Sequence, residues 1–373
     1  MNNQYKFCCI IFLFFFSLSF KAVTIPFELI DGKIIVGVTI KNEPHHFIFD
    51  SGAFTIISSE LKNKLNEKKS QIVFEGVDAN SVKAKMDVFS TDLLQIGNQN
   101  LNNINFSFAD ISWMKARACR KISGIFGANM MKGKVWRIDF KTNTMTMSDQ
   151  ALEQAAGSVS VPFSEENFTG VPRIHASIRK QKIEFIFDTG SGMGITMNQK
   201  SYNAVKDDRF LTFEGLLSQS LNSTSKGERQ VDVMDMEISG VNTGGQIIDS
   251  SPDASNLIGI RMIENYLVDL DFINKKIVLS AQVKTPEYPS FGVAFAPVNG
   301  HLVIVNKLKI PQLAGLHLAD RIIKINSRDV SNMSDEAFCD IKNVLNNSET
   351  ITIETDSHKT LTLEKKNVLQ YLD

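Results

Sequence analysis

The chain has 373 residues, 43% of them hydrophobic and 22% charged, with a formal net charge of −1. That length leaves room for two or three domains. The near-neutral balance excludes a global field that would draw in nucleic acid or an anionic membrane.

In chain order, the first feature follows Lys6, where Phe7 to Phe20 forms an apolar stretch that includes Ser17-Leu18-Ser19. A short basic start, an apolar stretch and small residues at a cut site predict a Sec signal peptide over residues 1–22. The stretch is too short for a membrane span of about 20 residues. A secreted or periplasmic protein with no stable span after signal removal is expected. Cys8 and Cys9 precede or open the stretch, so a lipid anchor is not expected. Cys119 and Cys339 then remain. One bridge could join them, but they fall in separate predicted domains, and two cysteines make no disulfide framework. His45-His46 is an isolated pair without a nearby Cys, which predicts two solvent-facing loop histidines and no metal site.

The middle of the chain repeats itself. Phe47-Ile48-Phe49-Asp50-Ser51-Gly52 is answered by Phe185-Ile186-Phe187-Asp188-Thr189-Gly190. Upstream, Val36, Val38 and Ile40 alternate with polar or small residues, as do Ile174, Ala176 and Ile178, the period-two pattern of half-buried strands. Further pairs follow in order: Phe74-Glu75-Gly76 with Phe213-Glu214-Gly215, Gly97 with Gly240, Ile125-Phe126-Gly127 with Leu257-Ile258-Gly259, and Arg137-Ile138-Asp139-Phe140 with Asp269-Leu270-Asp271-Phe272. Ordered anchors that differ only in loop length imply duplication. Short alternating strands between Gly, Asn, Asp and Ser clusters predict all-β halves. Brief helices are expected from Leu61 to Lys69, capped by Ser58 or Ser59, and from Gln199 to Asp208, capped by Asn198. Ala155 to Gly170 reads as a linker, and Lys284 to Ser290, with Pro286 and Pro289, as a second boundary.

An aspartate at the end of an apolar strand, followed by a hydroxyl residue and glycine, holds a carboxylate in a fixed place while the backbone turns tightly. One such aspartate is explained by a structural turn. Two in equivalent places of a duplicated chain imply a pseudo-twofold axis that brings them face to face. Asp50-Ser51-Gly52-Ala53 and Asp188-Thr189-Gly190-Ser191 resemble the catalytic loops of pepsin- and retropepsin-type aspartic proteases. Ile125-Phe126-Gly127 and Leu257-Ile258-Gly259 resemble the strands that complete that family's loop-threading core. Phe74 to Lys85 and Phe213 to Arg229 lie where the family carries its hairpin flaps. The resemblance implies Asp50 and Asp188 as the catalytic carboxylates, with Ser51, Gly52, Thr189 and Gly190 supporting their loops. It implies hydrolysis of a polypeptide by an activated water, with no metal or organic cofactor. Ser51 replaces the commoner Thr, and the first flap carries no Tyr.

After the second boundary, Phe291-Gly292-Val293-Ala294-Phe295, a strand from His301 to Leu308, Ala314 to Ile322 and a helix from about Asp335 to Asn346 follow in an order that resembles a bacterial PDZ domain. Phe338, Ile341, Val344 and Leu345 share one helix face. The resemblance implies an extended peptide or peptide C-terminus bound at Gly292, Val293, Ala294 and Phe295, with Phe338 lining the groove. A core role for that face is the competing reading.

The expected fold is therefore mainly β: two duplicated pepsin/retropepsin-like β-barrel lobes, residues 23–154 and 155–283, followed by a small α+β PDZ domain, residues 284–373. A monomeric endopeptidase is the leading expectation. The alternatives are an inactive peptide-binding protein of the same fold, and a homodimer with sites built between chains.

Overall fold

A computed structural model describes residues 22–78, 80–221, 223–252, 255–282 and 288–371. The apolar N-terminal stretch lies outside the described residues, as does most of the boundary around Pro286. The fold is mainly β. Among the described residues, no helix is long and apolar enough to cross a membrane.

The sequence repeat corresponds to a repeat in strand pairing. In the first half, Glu43–Asp50 lies parallel to Gly124–Gly127, which runs antiparallel to Ile56–Ser58. Ile56–Ser58 in turn lies parallel to Ile104–Ala109. In the second half, Gln181–Phe187 lies parallel to Leu257–Ile258, which runs antiparallel to Ile195–Asn198. Ile195–Asn198 lies parallel to Val241–Ser251. Each half then extends into a long hairpin, Lys68–Val77 with Lys83–Thr91 and Leu211–Gln219 with Thr224–Ile238.

The halves are joined more intimately than two beads on a linker. Val135–Asp139 from the first half pairs antiparallel with Tyr266–Asp271 from the second. The expected linker itself contributes Val159–Pro162, which pairs with Lys276–Ala281. Strand edges left bare within one half are thus satisfied by the other. Arg137 crosses this seam, its guanidinium donating to both carboxylate oxygens of Asp269 at 2.7 and 2.8 Å. One apolar core contains Phe49, Phe126 and Trp136 together with Phe187, Ile258 and Ile263.

The C-terminal segment does not stand apart. His301–Leu308 pairs with Leu211–Gln219, so the strands from Val293 onward continue the second half's sheet. Its helix, Asp335–Asn347, begins where Ser334 Oγ accepts from Ala337 N at 3.1 Å, with Asp335 and Glu336 favourably placed in the first turn. That helix reaches back to the first half. Cys339 is bonded to Cys119 across 220 residues, with Cα atoms 5.4 Å apart. Lys115 pairs with Glu336 at 2.7 Å and Lys342 with Asp31 at 2.6 Å. The bridge left open by the sequence is thus formed, through a tertiary contact with no local signature.

Three local expectations are corrected. Leu61 to Lys69 is not a helix: one 3₁₀ turn, Ser59–Leu61, gives way to the strand Lys68–Val77. Asn63 and Asn66 adopt φ of +66° and +49°, which interrupts a right-handed helix. The helix after Asn198 stops at Asn203 rather than Asp208. His45 and His46 sit in the strand Glu43–Asp50, where His45 Nδ1 lies 3.0 Å from Ser123 Oγ.

Candidate active site

Asp50 ends the strand Glu43–Asp50, held parallel to Gly124–Gly127, with Asp50 opposite Gly127. Asp188 follows directly on Gln181–Phe187, and its amide donates to Ile258 O at 2.9 Å. Both apolar strands are buried at Phe47, Phe49, Phe185 and Phe187, which fixes where the chain leaves the sheet.

The two exits meet. Ser51 N donates to Thr189 Oγ1 at 2.9 Å, and Thr189 N donates to Ser51 Oγ at 3.1 Å. Each hydroxyl then donates across the divide, Ser51 Oγ to Phe187 O at 2.6 Å and Thr189 Oγ1 to Phe49 O at 3.0 Å. Both hydroxyl residues are fully buried, so each bond satisfies a group that would otherwise carry a desolvation cost. Ser51 and Thr189 play equivalent parts here because each uses its hydroxyl in the same two ways.

The carboxylates are oriented by their own loops. Gly52 N donates to Asp50 Oδ1 at 2.9 Å, while Gly190 N and Ser191 N donate to Asp188 Oδ1 at 2.8 and 3.0 Å. The glycines are required by space. A Cβ on Gly52 would stand 2.5 Å from Asp188 Cγ, and one on Gly190 would stand 2.1 Å from Asp50 Cγ. Each carboxylate therefore lies against the other half's glycine, which sets the two acids side by side, close enough for the charge of Asp188 to act on Asp50. Gly127 serves the outer layer: a Cβ there would meet Thr55 N at 2.4 Å.

Burial pushes the Asp50 carboxyl well above its usual range, and the negative charge of Asp188 adds to this. The Lys33 ammonium pulls the other way. Both aspartates retain partial exposure, so the pair stays within reach of solvent.

Two further features had no signal in the repeat. Phe54, Phe74 and Phe168 form an aromatic trio with ring centroids 5.1 to 5.3 Å apart. It joins the loop after Asp50, the first hairpin and the segment between the halves. At the hairpin tips, Asp78 Oδ2 accepts from Ser220 Oγ at 2.5 Å and Ser223 Oγ at 2.7 Å. Asn80 Nδ2 donates to Ser223 Oγ at 2.8 Å, and Ser218 Oγ donates to Asn80 Oδ1. Asp and Asn near a loop tip read as ordinary turn residues, so only their juxtaposition with the serines is informative.

The C-terminal candidates divide. Gly292 occupies a turn with φ of +75°, but Val293, Ala294 and Phe295 lie within the strand Val293–Val298 rather than in a loop. Their backbone pairs with Lys307, Asn306 and Ile304. Phe338 is buried in the C-terminal core with Ile341, Leu302 and Ile353, as the competing core reading expects.

A family described as aspartyl protease matches residues 36–130, the stretch that contains Asp50-Ser51-Gly52 and Ile125-Phe126-Gly127. No curated protein matches. Among solved structures, the aspartic proteinase of Irpex lacteus is similar at 11% identity, covering 70% of this chain and 98% of its own, with a TM-score of 0.45. Basic 7S globulin from soybean is similar at 11% identity, covering 70% and 95%, with a TM-score of 0.45.

Proposed function

We propose that the chain is an aspartic endopeptidase of two duplicated lobes, with Asp50 and Asp188 as its catalytic carboxylates. The observation that carries this reading is the pairing of the two carboxylates, each packed against the opposite half's glycine. Two adjacent carboxylates do not both ionise readily and share one proton, as is known for pepsin-type enzymes. The ionised member takes a proton from a water lodged between them, and that water attacks the scissile carbonyl. The protonated member donates to the developing oxyanion, and a proton then passes to the leaving nitrogen. Titration belongs to the pair rather than to either residue. The reciprocal Ser51 and Thr189 bonds support such a role because they fix the separation of the acids without occupying them.

The hairpins Lys68–Val77/Lys83–Thr91 and Leu211–Gln219/Thr224–Ile238 would act as the flaps. In the C-terminal segment, Val293–Val298 pairs, among the described residues, on one side only, with His301–Leu308. This free edge supports a PDZ-like role in which an extended peptide adds a strand there. Export to an oxidising compartment is supported by the Cys119–Cys339 bond.

The test is digestion of denatured casein by the mature chain from acidic to neutral pH, with and without pepstatin. Cleavage that is abolished in Asp50→Asn and in Asp188→Asn separately is expected, since a shared-proton pair needs both. Undiminished cleavage in either variant would sink the assignment. A folded wild type that binds peptide without cutting it would instead support the inactive alternative.

A further inference from the structure

Lys33 stands where the carboxylate pair meets the first half's N-terminal hairpin. Ala22–Ile30 and Lys33–Ile40 are joined by a two-residue turn, with Asp31 and Gly32 at φ of +54° and +66°. Both central residues being left-handed suits the twist of a tight hairpin. The turn presses on the second half's catalytic loop: a Cβ on Gly32 would stand 2.8 Å from Gly192 Cα, and one on Gly192 would stand 3.0 Å from Asp31 O. From the next position, Lys33 Nζ donates to the carbonyl of Gly190, two residues after Asp188. The opposite side of the turn is held by the C-terminal helix, where the largely buried Lys342 pairs with Asp31 at 2.6 Å. Lys342 lies three residues beyond Cys339 and its bond to Cys119.

We propose that Lys33 is a positioning residue for the Asp50–Asp188 pair, holding the Gly190 carbonyl and placing a fixed positive charge beside the acids, and that the C-terminal helix steadies it through Lys342 and Asp31. The catalytic part of this inference rests on the endopeptidase reading. Asp188 and Lys33 are the charged groups that act on Asp50. Lys33 itself shares its surroundings with Asp31 on its own hairpin, the two acids, and Lys342 from the helix. A neighbouring cation favours the ionised form of a carboxylate. The pair therefore gives up its shared proton at a lower pH than it would beside a neutral side chain, and its working range lies further into acid.

The experiment compares wild type with Lys33→Met, Lys33→Gln, Lys33→Arg and Lys342→Met. Two readouts are used: the pH profile of kcat/KM, whose limbs report the free enzyme's groups, and carbon NMR titration of aspartates labelled at the carboxyl carbon. Lys33→Met and Lys33→Gln are expected to move the pH profile and the Asp50 carboxyl midpoint upward by roughly one pH unit or more. Lys33→Gln keeps a donor for Gly190, so an equal shift assigns the effect to charge and covers a failure of Lys33→Met to fold. Lys33→Arg restores the wild-type profile, and Lys342→Met gives a smaller upward shift. An unmoved Asp50 midpoint in Lys33→Gln would overturn the role of Lys33, and an unchanged Lys342→Met would remove the helix from the scheme. If wild type cleaves no peptide, the endopeptidase reading fails, while the carboxyl titrations still decide the role of Lys33.

Discussion

Ser51 and Thr189, which are 138 residues apart, each donate a backbone N–H to the other's hydroxyl, at 2.9 and 3.1 Å. The exchange is buried, and neither half can keep it alone. Replacing either hydroxyl with Ala leaves a buried N–H without its acceptor, which costs about 1–3 kcal/mol. In urea unfolding, Ser51→Ala and Thr189→Ala are each expected to fall in that range. Because they break one network, the double variant should lose less than the sum of the two. Strict additivity would show that the bonds act independently.

The carboxylate pair makes an opposite prediction for stability. Asp50 is held well above the usual carboxylate range, so the native state binds its proton more tightly than the unfolded chain does. That contribution is complete below the unfolded value and is lost as the pH rises through the folded one. Asp50→Asn removes the titration. In thermal melts the variant should therefore gain on wild type from acid towards neutral pH, reaching its largest advantage above the folded value. A gap that closes as the pH rises would contradict the assignment.

At the hairpin tips the sign reverses. Burial alone would raise the Asp78 carboxyl, but the hydroxyls of Ser220 and Ser223 and the amides of Val82 and Asn80 hold it below its usual range. Its contribution is present above the ordinary carboxylate range and lost as the pH falls through the lowered value. The tips should stay latched through mild acid and release only in strong acid. Asp78→Ala is expected to accelerate amide exchange in Lys83–Thr91 and Leu211–Gln219 while leaving the core strands protected. Unchanged exchange in both hairpins would show that the tip contacts hold nothing.

Removing the Cys119–Cys339 bond should loosen the C-terminal helix without releasing the segment. A cross-link spanning so long a loop stabilises by about 2–4 kcal/mol. The sheet contact between His301–Leu308 and Leu211–Gln219 remains. A double Cys119→Ser, Cys339→Ser variant should melt at a lower temperature and retain its strand signal by circular dichroism. An unchanged melting temperature would assign the docking to Lys115–Glu336, Lys342–Asp31 and packing instead.

Much of the arrangement around the acids was legible because it repeats. Alternation located the strands ending near Asp50 and Asp188, and the paired Gly motifs located the strands beside them. The apolar positions Phe338, Ile341, Val344 and Leu345 marked the C-terminal helix almost to the residue. Other features were hidden for physical reasons. Asn63 and Asn66 broke a charged stretch through backbone conformation that charge patterning does not encode. Val159–Pro162 looked like linker because its partner, Lys276–Ala281, lies far along the chain. Lys33 carried no motif, and its importance comes from a turn pressed against Gly192. Phe338 fits both groove and core on a helical wheel, and the wheel alone does not show that it is buried beside Ile341 and Leu302.

The bond between Cys119 and Cys339 also orders events during biosynthesis. Cys119 leaves the ribosome 220 residues before its partner, and the strand Leu211–Gln219 likewise precedes the strand that covers its edge. A nascent polypeptide truncated before residue 339 would leave the Cys119 thiol without this partner and the sheet margin open. Both close only after the chain has been made past residue 339, so the C-terminal segment acts as a late-applied seal on the halves made before it.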